Sequence, residues 1–466
     1  MRQERERPDA RGLGWFTILR LALVQTAIGA MVVLTTATMN RVMVVEHGLA
    51  ATIPGALVAL HYAVQMLRPR FGHGADMGRS RTTWIVGGLA LLALGTCLAA
   101  FATGWIASHF ALGLMAATLA FLMIGAGVGA AGTNLLALMA AGVAAHRRPQ
   151  AATLMWTLMI VGFAVTAGLS GRFLDPFSDA RLVAVTAVVA ASAFALGTLA
   201  ILGVEAEARQ AASTPAKASN TAAFGPRLAS VWREAETRRF TIFVFVSMLA
   251  YSAQDLILEP FAGTLFSMTP GQTTQLSGIQ HGGTVLGMVA VALAGMVFGR
   301  RFPGLLRLLC VLGCLGSALA FAALVSASRM GEGFPLAGAV GTLGLFNGLF
   351  AVAAIGSMMG LAGAESGEAS PRHGIRMGLW GAAQAIAFGL GGFVGTVLVD
   401  VTLALTGSAA SAYGAVFLLE AAGFVASAVL AWRCVGSGQA VRAPIRASRQ
   451  PVAAPTPSMS STGAAA

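Results

Sequence analysis

Residues 148–171 read RPQAATLMWTLMIVGFAVTAGLSG, and residues 372–395 read RHGIRMGLWGAAQAIAFGLGGFVG. At an offset of 224 (372 − 148), Arg148 falls on Arg372, Trp156 on Trp380, Gly168 on Gly392 and Gly171 on Gly395. Gly132 and Gly356 keep the same offset. Each copy leads from a basic residue into a Trp-bearing apolar run that ends in glycines. A second echo joins Asn40-Arg41-Val-Met-Val-Val-Glu46 to Gln254-Asp255-Leu-Ile-Leu-Glu259. Both read as two polar residues, a short apolar run, then Glu. The order of these matches favours a duplicated chain over chance similarity among Gly/Ala-rich helices. It sets helix five against helix eleven, and helix one against helix seven.

Outward from these stretches, apolar runs of about 20 residues, the length that crosses a bilayer core, recur twelve times. They fall at roughly 15–39, 49–67, 82–103, 105–131, 152–171, 181–203, 239–258, 276–298, 303–326, 335–361, 375–400 and 411–433. The division between the third and fourth rests on Thr103-Gly104 as a turn. The reading is an all-α integral membrane protein with 12 transmembrane helices in two pseudo-symmetric six-helix halves, 15–203 and 239–433. Residues 1–14 form a polar tail, 204–238 a linker, and 434–466 an Ala/Pro/Ser-rich disordered tail. Residues 227–239 read as an amphipathic helix on the membrane surface.

Composition agrees. The chain of 466 residues is 56% hydrophobic and 10% charged, with mean hydropathy +0.77, against about 25% charged in a soluble domain. The net charge of +12 does not point to nucleic acid, because the basic residues sit in short loops between apolar runs. Arg68, Arg70, Arg79 and Arg81, Arg147 and Arg148, the 209–239 stretch, Arg300, Arg301, Arg307, Arg372 and Arg376 share one side; Arg41, Arg172, Arg181 and Arg329 take the other. This asymmetry puts both termini in the cytoplasm. The four cysteines show no disulfide or metal-site spacing. Arg20 and the lack of a small-residue cleavage pattern make the first run a retained helix.

Duplicated six-helix halves resemble the major facilitator superfamily. Gly72, Asp76, Gly78, Arg79 and Arg81 resemble its cytoplasmic loop signature, with Gly78 two residues after Asp76 where the usual spacing is three. In that superfamily the Asp caps a neighbouring helix and pairs with Arg. An ordinary basic loop is the competing reading. Three further stretches resemble the PucC/LhaA-like bacteriochlorophyll delivery branch. They are Leu34 to Glu46; His61-Tyr-Ala-Val-Gln65-Met-Leu-Arg68-Pro69-Arg70-Phe-Gly72; and Tyr251-Ser-Ala-Gln254-Asp255-Leu-Ile-Leu-Glu259-Pro260-Phe with Gln280-His281-Gly282-Gly283. The resemblance covers about residues 15–433. It implies a non-enzymatic membrane factor that binds or delivers bacteriochlorophyll, or a precursor, during assembly of light-harvesting complexes. It implies antenna or reaction-centre polypeptides, and pigment-synthesis enzymes, as partners. It implies the inner, intracytoplasmic photosynthetic membrane as location, bacteriochlorophyll as cargo and no tightly bound cofactor.

Ionisable groups within apolar helices are costly and point to function. Asn40, Arg41, Glu46, Tyr251, Gln254, Asp255 and Glu259 form a candidate central cluster, with an Arg41–Asp255 pair across the pseudo-twofold axis as the specific expectation. Its roles are a gate, a proton-coupling site or a pigment-headgroup site, against a purely structural pairing at helix ends. His281 and His61 are candidate magnesium ligands for a bacteriochlorophyll, with Gly282-Gly283 leaving room for a flat ring. The competing reading is a hydrogen bond to a neighbouring helix, favoured for His61. Glu420 reads as a packing donor or part of a proton path. Thr35, Thr36 and Thr38 either line a cavity or bond their own helix. Trp156 and Trp380 read as interfacial anchors. The sequence holds no nucleophile–base constellation, phosphate loop or metal cage. A proton-coupled secondary transporter of a small amphiphile is the alternative function.

Overall fold

A computed structural model describes residues 12–68, 70–71, 80–144, 147–211, 232–299, 301–302, 304–363 and 371–434. Among the described residues, twelve helices build the two halves. They are α1 (Trp15–Glu46), α2 (Thr52–Gln65), α3 (Arg81–Ser108), α4 (Phe110–Gly142), α5 (Arg148–Leu174) and α6 (Asp179–Ile201) in the first half. The second half has α7 (Thr237–Leu265), α8 (Pro270–Phe298), α9 (Leu305–Met330), α10 (Leu336–Gly363), α11 (Pro371–Thr406) and α12 (Ala409–Cys434). Eleven helical stretches are long and apolar enough to cross a membrane among the described residues. The remaining helix, α2, is described over 14 residues.

Each half has its own apolar core. One is centred on α1 and α3–α6, the other on α7–α10 and α12. The halves meet chiefly where α5 packs on α8 and α2 on α11. Glycine makes such close packing possible. A Cβ at Gly127 would stand 2.7 Å from the Gly88 carbonyl oxygen, and one at Gly125 2.6 Å from that of His61. Small residues let helices approach where lipid supplies no hydrophobic drive between them.

Several boundaries differ from the sequence expectation. The break between α3 and α4 falls at His109, not at Thr103-Gly104. Thr103 donates to the Ala99 carbonyl, and Gly104 packs against Asp179, so this glycine serves contact and not a turn. The start of the linker is not a free loop. Val204–Ala211 is a helix docked on the first half. Its Glu205 accepts from the backbone N–H groups of Arg81 (3.2 Å) and Thr82 (3.0 Å) and from the Ser80 and Thr82 hydroxyls. It thus caps the orphan donors at the start of α3. Glu207 accepts from Thr17 at 2.7 Å and pairs with Arg20. Trp380 is no interfacial anchor. It is 1% exposed and packs edge-on to Phe240, ring centroids 5.0 Å apart. Of the 227–239 stretch, 227–231 lie outside the described residues, as do 1–11 and 435–466, while residues from Ala235 onward already belong to the helix Ala235–Ser252 that opens the second half.

Candidate functional site

The two helices singled out by their polar residues are also the two with irregular backbones. In α1, π-helical turns at Leu34–Thr38 and Val42–Glu46 flank Met39–Arg41. In α7, regular helix stops at Ser252 and resumes at Gln254. These segments face each other. Insertions and breaks of this kind cluster at functional sites, and interrupted helices build the binding sites of membrane transporters.

Proline explains one contact directly. Pro260 has no N–H, so the Leu256 carbonyl four residues earlier has no helical donor. Asn40 supplies one, donating its side-chain N–H to that carbonyl at 2.5 Å. A helix in lipid must satisfy such groups internally. Here the other half of the molecule does it.

Arg41 is 2% exposed and pairs with Glu46, five residues on. The π turn brings i and i+5 onto one face, and that permits the pair. Its second amino group donates to the Met268 carbonyl at 2.7 Å. A Cβ at Gly263 would lie 3.0 Å from the guanidinium, so that glycine makes room for it. The expected Arg41–Asp255 pair is not formed. Arg41 lies level with residue 263, eight residues past Asp255 (263 − 255), or about 12 Å along a helix.

The remaining polar groups form two short networks. Gln254 accepts from Asn347 of α10 (3.0 Å), which accepts from Ser317 of α9 (2.8 Å). Glu259 accepts from Thr273 (3.3 Å) and Thr274 (3.4 Å) of α8. The Thr274 hydroxyl lies 3.0 Å from that of Thr38. Thr35 and Thr36 bond back to the Val32 carbonyl. Tyr251 packs on Phe388 of α11, apart from the Arg41 cluster. Glu420 is buried close to the backbone N–H of Gln254 at the α7 break.

Thr36, Phe163, Gln254, Asp255, Glu259 and His281 line one closed pocket between the halves. Its free volume is about 10 Å³, on the order of one water molecule. One carboxylate oxygen of Asp255, one of Glu259 and Nδ1 of His281 have no hydrogen-bond partner there. The His281 ring stands edge-on to Phe163 at 5.0 Å. Gly283 does not leave room for a ring, because a Cβ there would stand 2.3 Å from the Gly341 carbonyl oxygen of α10. Gly282 faces open space. His61 is engaged differently. Its Nε2 lies 2.9 Å from Gln65, which in turn accepts from Arg68. Outside the pocket, a wider groove of about 460 Å³ lies among Phe266, Met268, Gln272, Gln275, Ile279 and Leu336.

Of the loop signature, Gly72, Asp76, Gly78 and Arg79 lie outside the described residues. Arg81 opens α3 and donates to the Ala137 carbonyl at 3.2 Å. Sequence reasoning missed Asn347, Ser317, Glu205 and two aspartates that bridge the halves, Asp175, which accepts from the Thr269 hydroxyl and Gly271 N–H, and Asp400, which accepts from the Ala51 and Thr52 N–H groups. Asn347 had a usable signal, a lone amide within the apolar run Leu345-Phe346-Asn347-Gly348.

Comparison with known proteins agrees with this architecture. Residues 38–439 match the family described as PUCC protein. The chain is 48% identical over 432 residues to the bacteriochlorophyll synthase 44.5 kDa chain of Rhodobacter capsulatus, covering 93% of this chain and 98% of that one. It is 32% identical over 424 residues to Protein PucC of Cereibacter sphaeroides, covering 87% and 88%. Among solved structures, the nucleoside transporter NupG superposes with TM-score 0.61 at 15% identity, over 90% of this chain and 98% of that one. A POT family transporter in complex with 5-aminolevulinic acid gives 0.61 at 14%, over 88% and 94%. These structures share the fold of the major facilitators. The chain belongs to the PucC family and carries it on that fold.

Proposed function

We propose that this protein is a non-enzymatic membrane factor that binds or delivers bacteriochlorophyll, or a precursor, while light-harvesting and photosynthetic complexes are assembled. The observation that carries this reading is 48% identity, across almost the whole of both chains, to a protein named for bacteriochlorophyll. The charge asymmetry of the loops supports cytoplasmic termini in the inner, intracytoplasmic photosynthetic membrane. The partners in this reading are antenna or reaction-centre polypeptides and pigment-synthesis enzymes. His281 is the favoured ligand to the pigment magnesium, because it lines the pocket between the halves; Nδ1 is unengaged in both histidines, but His61 stands outside that lining with its Nε2 against Gln65.

The closed pocket holds about 10 Å³, so it admits no macrocycle as it stands. Pigment handling at His281 therefore requires the halves to part. The outer groove is the alternative, lipid-side location. The test is a deletion in a phototrophic bacterium that carries this gene. Antenna absorbance per unit of membrane protein should fall at least about threefold and return with the intact gene. Unchanged antenna and reaction-centre bands would overturn the reading.

A second reading, proton-coupled transport of a small amphiphile, is favoured by the acidic groups. Asp255, Glu259 and Glu420 sit between helices while the Arg41 guanidinium is engaged by Glu46. Intramembrane acids recur in proton relays. Proteoliposomes loaded with pyranine distinguish the readings. Proton movement that depends on Glu259 supports transport, and a lumenal pH indifferent to the protein removes it.

A further inference from the structure

The two halves treat the start of their third helix differently. α3 and α9 begin at the repeat offset, 224 residues apart (305 − 81). The chain running on from α6 lays Glu205 over the start of α3, and Arg209 pairs with that carboxylate at 2.7 Å. At the same offset Arg209 falls on Arg433 (209 + 224) and Glu205 on Val429 (205 + 224), both near the end of α12. The cation is kept, and an apolar residue replaces the carboxylate. α9 has no acidic residue in its first turn and no side-chain cap. The first half thus carries a carboxylate of its own over this helix start, where the second half has a valine.

What stands at that corner of the second half is basic, aromatic and open to lipid. Arg307, in the first turn of α9, holds its guanidinium 5.8 Å from the ring centroid of Trp432 on α12. Trp432 is 61% exposed, and Arg433 beside it is exposed too. Arg239 of α7 and Arg433 both lie close enough to the Cys434 thiol to act on it electrostatically. Three helices therefore bring cations to one corner. Their mutual repulsion, and the like-signed dipole end at the start of α9, favour an anion there. Toward the middle of the membrane, both helices turn apolar faces outward. Leu308, Leu312, Leu315 and Leu319 are exposed at spacings of four, three and four, a single face of α9. Val425, Val429 and Trp432 are exposed in the same rhythm on α12, which packs along α9. Cations at the rim of a helix pair, above two apolar faces, are the complement of a phospholipid: phosphate at the rim, acyl chains along the faces.

We propose that the α9/α12 rim, where α9 begins and α12 ends, binds one anionic phospholipid. Its phosphate sits on Arg307 and Arg433 beside Trp432, and its acyl chains lie along the two apolar faces. The lipid brings to the second half the negative charge that Glu205 brings to the first. The site is separate from the pocket between the halves and stands apart from pigment handling.

The test needs no pigment. Native mass spectrometry of the full chain, exchanged in detergent into an equimolar mixture of phosphatidylglycerol and phosphatidylcholine, reads the site directly. One phosphatidylglycerol per chain should be retained in preference to phosphatidylcholine. In R307Q/R433Q its apparent affinity should fall by about tenfold or more, as two charge-assisted contacts are lost. R172Q/R329Q removes two exposed arginines from the opposite end and should leave retention unchanged. Val429→Glu rebuilds the arrangement of the first half, with a carboxylate one turn from Arg433, and should displace the lipid. Thermal melting gives a second reading. Phosphatidylglycerol should raise the melting temperature of the parent chain, but not that of R307Q/R433Q or V429E. Inorganic phosphate should not replace it. Equal retention of the two lipids, unchanged retention in monodisperse R307Q/R433Q, or stabilisation by inorganic phosphate as large as by the lipid would each overturn the proposal.

Discussion

Arg41 shows how far residue types, read alone, can be trusted. Sequence grouped it with Asn40, Glu46, Tyr251, Gln254, Asp255 and Glu259 on α1 and α7, whereas the structure engages it with Glu46 and Met268 and holds Gln254 in a separate network. The choice of partner failed, because the pairing depends on a π turn that puts residues five apart on one face. Nothing in Val-Met-Val-Val announces that turn. The structure makes Arg41 a bond between halves through the Met268 carbonyl, with Glu46 as its counter-charge. Arg41→Ala should therefore destabilise the protein by about 2–4 kcal/mol, discounted from a fully buried pair because Glu46 is partly exposed. Thermal unfolding in detergent measures it. Asp255→Arg should not rescue an Arg41→Asp variant; rescue would restore the pair that the structure rejects.

Helices were the most legible elements, since apolar runs of the required length are a strong signal in a chain with so few charges. Their ends were less so. Gly104 looked like a turn but packs against Asp179, and the polar start of the linker hid a docked helix. Glycine roles could not be sorted from sequence either. Gly282 and Gly283 are neighbours, yet one faces open space and the other touches Gly341 of α10. Gly283→Ala should cost about 1–3 kcal/mol by forcing α8 and α10 apart. Gly282→Ala should stay within about 0.5 kcal/mol. Equal melting shifts for the two would contradict the packing described. At the start of α3, Glu205→Ala should cost about 1 kcal/mol as a lost cap. Hydrogen exchange of the Arg81 and Thr82 amides should quicken while the α3 centre stays protected; unchanged exchange would argue that water replaces the carboxylate without loss.

For the whole molecule, the internal repeat carried the most information. Arg148/Arg372 and Gly171/Gly395 pointed to two halves, and the structure has two halves with separate cores. What the repeat could not disclose is how the halves touch. Asp175 and Asp400 are ordinary acidic residues in sequence and become caps on helices of the opposite half only once α5 meets α8 and α11 meets α2. The same closure leaves His281 in a pocket too small for a pigment. Pigment handling and movement of the halves are thus linked, and the most direct measurement concerns the pigment itself. The tagged protein, purified in mild detergent from a phototrophic host, should show a near-infrared bacteriochlorophyll band at about one pigment per chain. That band should be lost in a folded His281→Ala variant. A stable, monodisperse preparation with no such band would contradict the proposal that this protein binds bacteriochlorophyll.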